Sequence, residues 1–591
     1  MRIKNYAKFS YSSCFHLNFY DNLASLLQVF SRSFNIMQTK TKYVFVTGGV
    51  MSSVGKGVAT ASLAFLLKKR GYKVTAVKYE GYLNVDAGTI NPIEHGDPFL
   101  CADGTEADMD LGTYERYLNQ EMQCHNFYTF GKVLNTVIQK ERNMYYGGED
   151  VEPIPHVRDE MIEEIVNAGK LDNADIVFTE LGGTVGEPTN SMNSIYYEAI
   201  RKMKMMYPGS VLHMHVGYII FPKHLGEPKT KPIQISIRLL MSHGIMPDFL
   251  IVRGSEHIDS RRRELLARFS DLDKDHSIGA EDVDNIYKVP LMFQAQKFDE
   301  TLIKDLGLKL KPLNIKKLKR TLEFLDKKPK GEITVTIAGK YFKSGSHVTA
   351  DSYFALIESI KHASWKSGIK VNLNYVSTED VEKKGESLLK GSDAIIVPIG
   401  WGSRGVEGKI TTIKYAREHK VPYLGLCYGM QLACVEFARN VAGLKDANSE
   451  EVNPKSKHLI IHSIPFNEKY QTIKGNGVSM RLGTFDCVIK KGTLIYSLYD
   501  KYRQWKQKGL ASERHRHRFE FNNKYRKILE DKGLIISGTS PDDFFVETIE
   551  LSQKMHPFFI ATQAHPEYKS TPWKPHAFFM ELLEAALITK K

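Results

Sequence analysis

A cysteine lies at a predicted turn between a strand and a helix, in the segment GLCYG (425–429). The apolar run VPYL predicts the strand before it, and MQLACVEFARNV predicts the helix after it. Such a turn exposes its central side chain, and a helix N-terminus lowers the pKa of a thiol. Cys427 is therefore a candidate nucleophile, whereas Cys434, which follows among apolar residues, is expected to fill the core.

A cysteine nucleophile requires a base, and one of the twenty histidines has suitable surroundings. His565 follows the predicted strand FFIATQ in the segment AHPE, and Glu567 comes two residues later. A carboxylate in that position can orient the imidazole. His565 is therefore preferred as the base, while most lone histidines are expected to be structural.

A glycine-rich loop, GGVMSSVGKG (48–57), lies between a predicted strand and a predicted helix. Backbone N–H groups and a helix N-terminus favour phosphate oxygens there, and Lys56 adds positive charge. The loop departs from the common phosphate-loop pattern in its spacing and in the residue after the lysine. A structural turn is the alternative, but it would not need a lysine between two glycines directly before a helix. We therefore expect a nucleotide site.

Three charged residues could serve this loop. Asp110 and Glu180 offer the hard oxygen ligands that Mg²⁺ prefers, although acids are common at strand ends. Lys78 ends the second predicted strand, at the edge where α/β sheets bind ligands, although it could equally be an ordinary solvated lysine.

The elements around these residues predict two α/β domains in series, each with a mostly parallel sheet flanked by helices. YVFVT (43–47), KVTAVK (73–78) and DIVFTE (175–180) are predicted strands of the first domain. A lysine-rich stretch at 309–332 predicts a linker. A second α/β pattern starts at ITVTIAGKY (333–341) and continues through VNLNYV, DAIIVP and VPYLGL.

Composition limits the possible classes of protein. A chain of 591 residues with 42% hydrophobic and 25% charged residues is globular and too long for one core. No apolar run is long enough to span a bilayer, and the formal charge of +13 is compatible with anionic ligands without requiring nucleic acid. RHRHR (514–518) is too short for a nucleic-acid surface, and a contact with carboxylates or another anion is favoured.

The six cysteines follow neither a disulfide nor a zinc pattern, which favours a reducing, cytoplasmic compartment. Residues 1–39 have a faintly transit-like composition. We expect them to be a disordered extension or the product of an upstream start, since Met37 stands just before the first predicted strand.

From about residue 41 to its end, the chain resembles the CTP synthase family, glutamine-dependent enzymes that aminate UTP. The resemblance is carried, in the order of the family, by FVTGGVMSSVGKG, NVDAGT, DLGTYER, ELGGTVG, KTKP, RGVEGK, GLCYGMQ, MRLGT, ERHRHRFE and HPE. It implies an ATP-dependent amidoligase domain at 40–308 and a class I glutamine amidotransferase domain at 333–591.

The resemblance also implies roles for individual residues. The triad would be Cys427, His565 and Glu567, and Mg²⁺ would be held by Asp110 and Glu180. ATP would be bound by Ser53, Val54, Gly55, Lys56, Gly57, Lys78, Asp110, Arg253, Glu281, Asp282 and Val283. UTP, or CTP as inhibitor, would contact Ser52, Glu187, Lys229, Lys231 and Gln234. Glutamine would contact Gly400, Tyr428, Gln431, Glu451 and Arg518.

By the same resemblance, the loop 402–408 would respond to GTP as an allosteric activator, and the protein would form homotetramers that can stack into filaments. Several positions depart from the family pattern: Glu80, Thr189 and Leu265 on the pyrimidine side, and Ile399 in the oxyanion loop. The changes on the pyrimidine side predict weaker inhibition by CTP, and Ile399 is expected to reshape the oxyanion loop. Two alternatives remain, a catalytically impaired paralogue with a filament-forming or regulatory role and an amidotransferase with another acceptor.

Overall fold

The computed structural model describes residues 39–591 except 50, 93–95, 188–191, 223, 225, 324–327, 345–346, 349 and 466–478. The predicted N-terminal extension and the position of Thr189 lie outside the described residues. Within the described residues, no helix is both long and apolar enough to cross a membrane.

The first sheet has seven strands, all paired in parallel, in the order β5-β2-β6-β1-β7-β8-β9. The strands of this half of the chain are β1 Lys42–Gly48, β2 Val74–Glu80, β3 Phe99–Leu100, β4 Glu106–Ala107, β5 Phe127–Thr129, β6 Ile176–Leu181, β7 Val211–Ile219, β8 Phe249–Gly254 and β9 Ser277–Glu281. Strands β3 and β4 form a separate antiparallel pair. Six of the seven residues of β1 are buried, as expected for a central strand covered on both faces.

Helices cover both faces of this sheet. They are α1 Lys56–Lys69, α2 Met109–Leu118, α3 Phe130–Arg142, α4 Arg158–Leu171, α5 Asn193–Met206, α6 Lys231–Ser242, α7 Ser260–Phe269, α8 Val289–Ala295, α9 Phe298–Asp305 and α10 Lys316–Glu323. Helix α10 lies inside the stretch that the sequence predicts to be a linker. Leu318 and Leu322, one turn apart, are buried against the first core, while Lys319 and Arg320 between them are exposed.

The second sheet is mixed and has nine strands in the order β13-β10-β14-β15-β23-β22-β21-β18-β19. The strands of this half are β10 Gly331–Gly339, β11 Lys343–Ser344, β12 His347–Val348, β13 Ile369–Ser377, β14 Ala394–Val397, β15 Tyr423–Leu426, β16 Ala447–Ser449, β17 His458–Ser463, β18 Arg481–Ile489, β19 Leu510–His517, β20 Phe519–Phe521, β21 Leu534–Thr539, β22 Val546–Leu551 and β23 Phe559–Thr562. The first five strands in the sheet order pair in parallel, and the rest pair antiparallel.

The helices of this half are α11 Phe354–Ser367, α12 Thr378–Lys384, α13 Val406–Glu418, α14 Tyr428–Asn440, α15 Leu494–Tyr502, α16 Arg526–Glu530 and α17 Ala577–Lys590. Two buried clusters fill the two sides of the second sheet. Cys434 is fully buried in one of them, which confirms its predicted role as a core residue. The predicted fold class, two α/β domains in series, is confirmed, although the second sheet is mixed.

Candidate active sites

The glycine-rich loop joins β1, at the centre of the first sheet, to the N-terminus of α1. Gly55 has a φ of 95°, which favours glycine, and Gly57 leaves room for an acid, because a Cβ there would come within 2.0 Å of Asp110 Oδ1. Lys56 is buried, and its ammonium donates to the carbonyl of Gly183 at 2.8 Å. Burial and the charge of Lys78 lower the pKa of Lys56.

The ammonium of Lys78 lies among three carboxylates at the carboxyl edge of the sheet. Its Nζ lies 2.6 Å from Asp110 Oδ2, 2.8 Å from Glu180 Oε1 and 3.4 Å from Glu80 Oε1. Register explains the meeting, since Lys78 and Glu180 are partners in the β2–β6 ladder, while Asp110 lies in the first turn of α2. Burial alone would lower the pKa of Lys78, but the acids raise it well above its usual value. Lys78 is therefore not the solvated lysine of the alternative interpretation.

Two cavities adjoin this cluster. The larger, of about 590 Å³, is lined by Ser52, Glu80, Asp108 and Glu187 among others. The smaller, of about 90 Å³, is lined on one side by Val54 and Gly55 and on the other by Arg253, Glu281, Asp282 and Val283. Arg253 reaches back to the carbonyl of Ser53 at 3.0 Å. The structure thus brings together the residues predicted for ATP.

The predicted pyrimidine contacts are only partly assembled within one chain. Ser52 and Glu187 line the larger cavity, but Lys229, Lys231 and Gln234 do not. These three lie at or just before the start of α6, where Lys229 pairs with Glu227 and Gln234 donates to Thr230 Oγ1 at 3.2 Å. Leu265, one of the departures from the family pattern, is 51% exposed on α7.

The catalytic candidates of the second domain come together because their strands are neighbours. Leu426 and Thr562, the last residues of β15 and β23, are partners in the ladder, and Cys427 N donates to Thr562 O at 2.7 Å. Cys427 has a φ of 52°, a strained conformation for a side-chain-bearing residue that is typical of a nucleophile on a tight turn. It is buried, and the amide of Gln563 points to its sulfur at 3.5 Å.

The imidazole of His565 is oriented by Glu567, whose Oε1 lies 2.7 Å from His565 Nδ1. Because Nδ1 is hydrogen-bonded to Glu567, Nε2 is the ring nitrogen that can exchange a proton with the thiol. Burial alone would lower the pKa of His565, but Glu567 and Cys427 outweigh it and raise that pKa to about 10. The three residues thus have the geometry of a nucleophile, a base and an orienting acid.

A small cavity opens onto Cys427, and all five residues predicted for glutamine line it: Gly400, Tyr428, Gln431, Glu451 and Arg518. Its volume is only about 10 Å³, room for about one water molecule. Gly402 closes it by donating its N–H to Glu451 Oε1 at 2.7 Å and by accepting from Tyr428 Oη at 3.2 Å. A ligand the size of an amino acid could therefore enter only if the loop around Trp401 and Gly402 moved.

Two buried lysines that the sequence analysis did not single out hold this loop. Lys409 Nζ donates to Pro398 O at 2.6 Å, and Lys340 Nζ donates to Gly402 O at 2.9 Å. Burial lowers the pKa of Lys409 well below its usual value and that of Lys340 to about 8. In the sequence, a lysine one turn into a helix looks like a solvated residue, so no signal marked Lys409.

The RHRHR segment joins the two domains. Arg514 NH2 lies 3.0 Å from Glu115 Oε2, and Arg516 lies 2.5 Å from Glu106 Oε1 and 3.2 Å from Asp97 Oδ1. Both arginines are buried, and their partners all belong to the first domain. The predicted contact with carboxylates is therefore confirmed.

Comparison with known proteins agrees with this division. A family model described as CTP synthase N-terminus matches residues 42–308, and one described as glutamine amidotransferase class-I matches residues 348–585. CTP synthases of Carboxydothermus hydrogenoformans and Caldanaerobacter subterraneus are 45% and 44% identical over 554 residues, covering 93% of this chain and 99% of theirs. The solved glutaminase domain of Trypanosoma brucei CTPS with bound acivicin is 33% identical and covers 43% of this chain and 94% of its own, with a TM-score of 0.38.

Matches of this identity over nearly the whole length leave no large segment of the relatives without a counterpart. The two family models match consecutive parts of one chain, with the CTP synthase N-terminus first and the class-I glutamine amidotransferase second. The chain belongs to the CTP synthase family.

Proposed function

We propose that this protein aminates UTP to CTP at the expense of ATP, with ammonia released from glutamine by its second domain. The observation that carries the proposal is the presence, in one chain, of a charged cluster at a phosphate loop and of a cysteine–histidine–glutamate arrangement at a second cavity. Lys56, Lys78 and Asp110 converge on the phosphate loop, and Cys427 with His565 opens onto the cavity lined by the predicted glutamine contacts. The proposed division of labour follows the predicted domains, 40–308 and 333–591.

In the second domain, Cys427 would attack the carboxamide of glutamine. The amides of Gly400 and Tyr428 would face the oxyanion, and His565 would pass a proton to the departing ammonia. The raised pKa of His565 suits this role because the imidazolium holds its proton until the leaving group needs it. Hydrolysis of the thioester would then release glutamate.

In the first domain, ATP would phosphorylate O4 of the uracil ring, and ammonia would displace the phosphate. Lys56 and Lys78 would bind phosphate oxygens and offset the charge that develops on them. Asp110 and Glu180 fit Mg²⁺, since both carboxylates meet at one ammonium beside the phosphate loop. Among the described residues, no three His, Cys, Asp or Glu side chains are arranged so that together they could hold a metal ion. Phosphate oxygens would therefore complete the coordination shell of Mg²⁺. When bound, Mg²⁺ would neutralise phosphate charge.

GTP is proposed as an activator that acts on the loop 402–408. A cavity of about 390 Å³ lies against the closed loop, lined by Trp401, Glu451 and Arg518 from the second domain and by Thr89 and Glu106 from the first. A ligand there would contact the loop that must move before glutamine enters. GTP should therefore raise the rate of glutamine hydrolysis.

We also propose a homotetramer, able to stack into filaments, in a reducing cytoplasmic setting. Ile235 and Leu239 are 60% and 39% exposed on α6, beside the pyrimidine contacts that one chain leaves unassembled. A second copy covering this helix would complete the site. Light scattering with and without UTP and ATP tests the assembly.

The test of the function is an incubation of the purified protein with ATP, Mg²⁺, UTP and glutamine, followed by chromatography of the nucleotides. We expect CTP, ADP and glutamate in equal amounts. Glutamate without CTP would indicate an amidotransferase with another acceptor. The absence of both products would indicate an impaired paralogue.

A further inference from the structure

One tyrosine of the second domain is built into the core of the first. Tyr568, directly after the triad residue Glu567, is 4% exposed and belongs to the cluster that surrounds α1 and α2. Its ring meets Phe99 of β3 edge to face at 5.2 Å. Its other neighbour is catalytic, because the ring stacks on His565 with the centroids 5.2 Å apart and the planes 22° apart.

The hydroxyl of Tyr568 lies 3.2 Å from Asp97 Oδ2 and 3.1 Å from the carbonyl of Pro98. Asp97 and Pro98 both line the 590 Å³ cavity of the first domain. The other carboxylate oxygen of Asp97 lies 3.2 Å from Arg516. An unbroken series of contacts therefore runs from that cavity through Asp97 and Tyr568 to the face of His565.

We propose that Asp97 and Tyr568 are positioning residues that transmit the filling of the first domain's cavity to His565, so that bound UTP and ATP accelerate glutamine hydrolysis. The inference rests on the proposed function and names the residues that couple its two sites. Glu567 fixes one ring nitrogen of His565, but rotation about that hydrogen bond is limited by the stacked ring of Tyr568. A displacement of Asp97 therefore changes the position of His565 Nε2 relative to the thiol of Cys427. Small displacements of a reacting group have large effects on the rate of the reaction.

The ion pair of Arg514 and Glu115 also holds the domains together, but its side chains do not contact the imidazole of His565. Arg514 meets His565 only through the backbone, where His565 N donates to Arg514 O at 2.8 Å. Tyr287 also bridges the domains, through its hydroxyl and His362 Nε2 at 3.1 Å, and it is as buried as Tyr568. It provides a matched control, since Tyr287→Phe removes one interdomain hydroxyl whose hydrogen bond to His362 includes no residue of the triad.

The experiment compares Tyr568→Phe with Tyr287→Phe and the unaltered protein. Tyr568→Phe deletes one oxygen and keeps the ring that stacks on His565. Initial rates of glutamate release are measured with and without saturating UTP and a non-hydrolysable ATP analogue, and CTP formation is measured from ammonium salt. The ratio of the two glutamate rates is the coupling, which a merely structural role would not change.

We expect the coupling to fall about fivefold in Tyr568→Phe, the effect of losing one hydrogen bond to a carboxylate. The loss should appear in kcat with the KM for glutamine unchanged, and ammonia-dependent synthesis should persist. Tyr287→Phe should keep the coupling. If Tyr568→Phe fails to fold, Asp97→Asn answers the same question, because it removes the charge and keeps the shape.

Three results would overturn the inference: a coupling within twofold of normal in Tyr568→Phe, an equal loss in both tyrosine variants, or glutamine hydrolysis by the unaltered protein that ignores the nucleotides. Failure of the proposed function would look different. The unaltered protein would then form no CTP from either glutamine or ammonium.

Discussion

Replacing Lys78 with methionine should destabilise the first domain and abolish CTP synthesis. The side chain is 4% exposed and its ammonium neutralises Asp110, Glu180 and Glu80. Methionine fills a similar volume but leaves these buried carboxylates facing one another. Breaking a buried ion pair by removing one partner costs about 3–5 kcal/mol. For a domain of this size that corresponds to a fall in Tm of about 6–20 °C.

Calorimetry on the full chain measures this loss, with Lys73→Met as control. Lys73 is exposed just before the same strand, so its replacement should leave Tm nearly unchanged. Added Mg²⁺ should recover part of the loss in Lys78→Met by supplying the missing positive charge.

The loss of thermal stability in Lys78→Met should depend on pH. Although burial alone would raise it, Lys78 and Lys56 hold the pKa of Asp110 below its usual value. Asp110 therefore contributes stability that is present at neutral pH and is lost as the pH falls through its folded pKa. Without Lys78 the three carboxyl groups protonate more readily, so the gap in Tm should narrow between about pH 7 and pH 5. Two results would refute the proposal that Lys78 stabilises these carboxylates. One is a decrease in Tm of less than about 3 °C in Lys78→Met, and the other is a difference in Tm between the two proteins that does not change with pH.

Lys56→Ala should abolish CTP formation from both glutamine and ammonium, since phosphoryl transfer precedes amination on either route; near-normal synthesis from ammonium would exclude Lys56 as a phosphate ligand. Cys427→Ala should eliminate glutamate release while synthesis from ammonium persists, and residual glutaminase activity would contradict the assignment of the nucleophile. Glu567→Gln should lower the pKa of His565 from about 10, so the alkaline limb of the rate profile for glutamine hydrolysis should move to lower pH. If the alkaline limb of the profile did not move, Glu567 would not be what raises the pKa of His565.

The proposed triad could be located in the sequence because Cys427 and His565 each follow a recognisable strand and Glu567 comes two residues after the histidine. Cys427 and His565 are 138 residues apart, yet the carboxyl ends of neighbouring parallel strands must meet at one edge. The sequence could not show that β15 and β23 are neighbours, and the glutamine contacts followed only from the resemblance. Lys78 and Glu180 were likewise found at strand ends, but their ion pair depends on a register that a single sequence does not contain, and Asp110 reaches them from the first turn of α2.

The contact of RHRHR with carboxylates was predicted, but its position between the two domains could not be, for a physical reason. Arg514 and Glu115 are 399 residues apart, and an arginine in an alternating basic strand looks like an exposed residue until its partner is known. Helix α10 was hidden in a similar way, because its lysines suggest a solvated linker and only Leu318 and Leu322 mark the buried side. Polar residues whose partners come from another domain carry no local pattern.

The change to Ile399 was expected to reshape the oxyanion loop, and its surroundings in the structure limit that effect. The side chain is 2% exposed and packs in the same cluster as Tyr353 and Cys427, and Ile399 is also one of the residues that line the small cavity at Cys427. Its carbonyl is held by Tyr353 Oη at 3.3 Å and by Lys409 Nζ at 3.3 Å. Gly400 therefore still lines the cavity beside Cys427. Since this segment is fixed from behind, a movement that opens the cavity would occur beyond it, at Gly402, and would break the hydrogen bonds that Gly402 makes with Glu451, Tyr428 and Lys340.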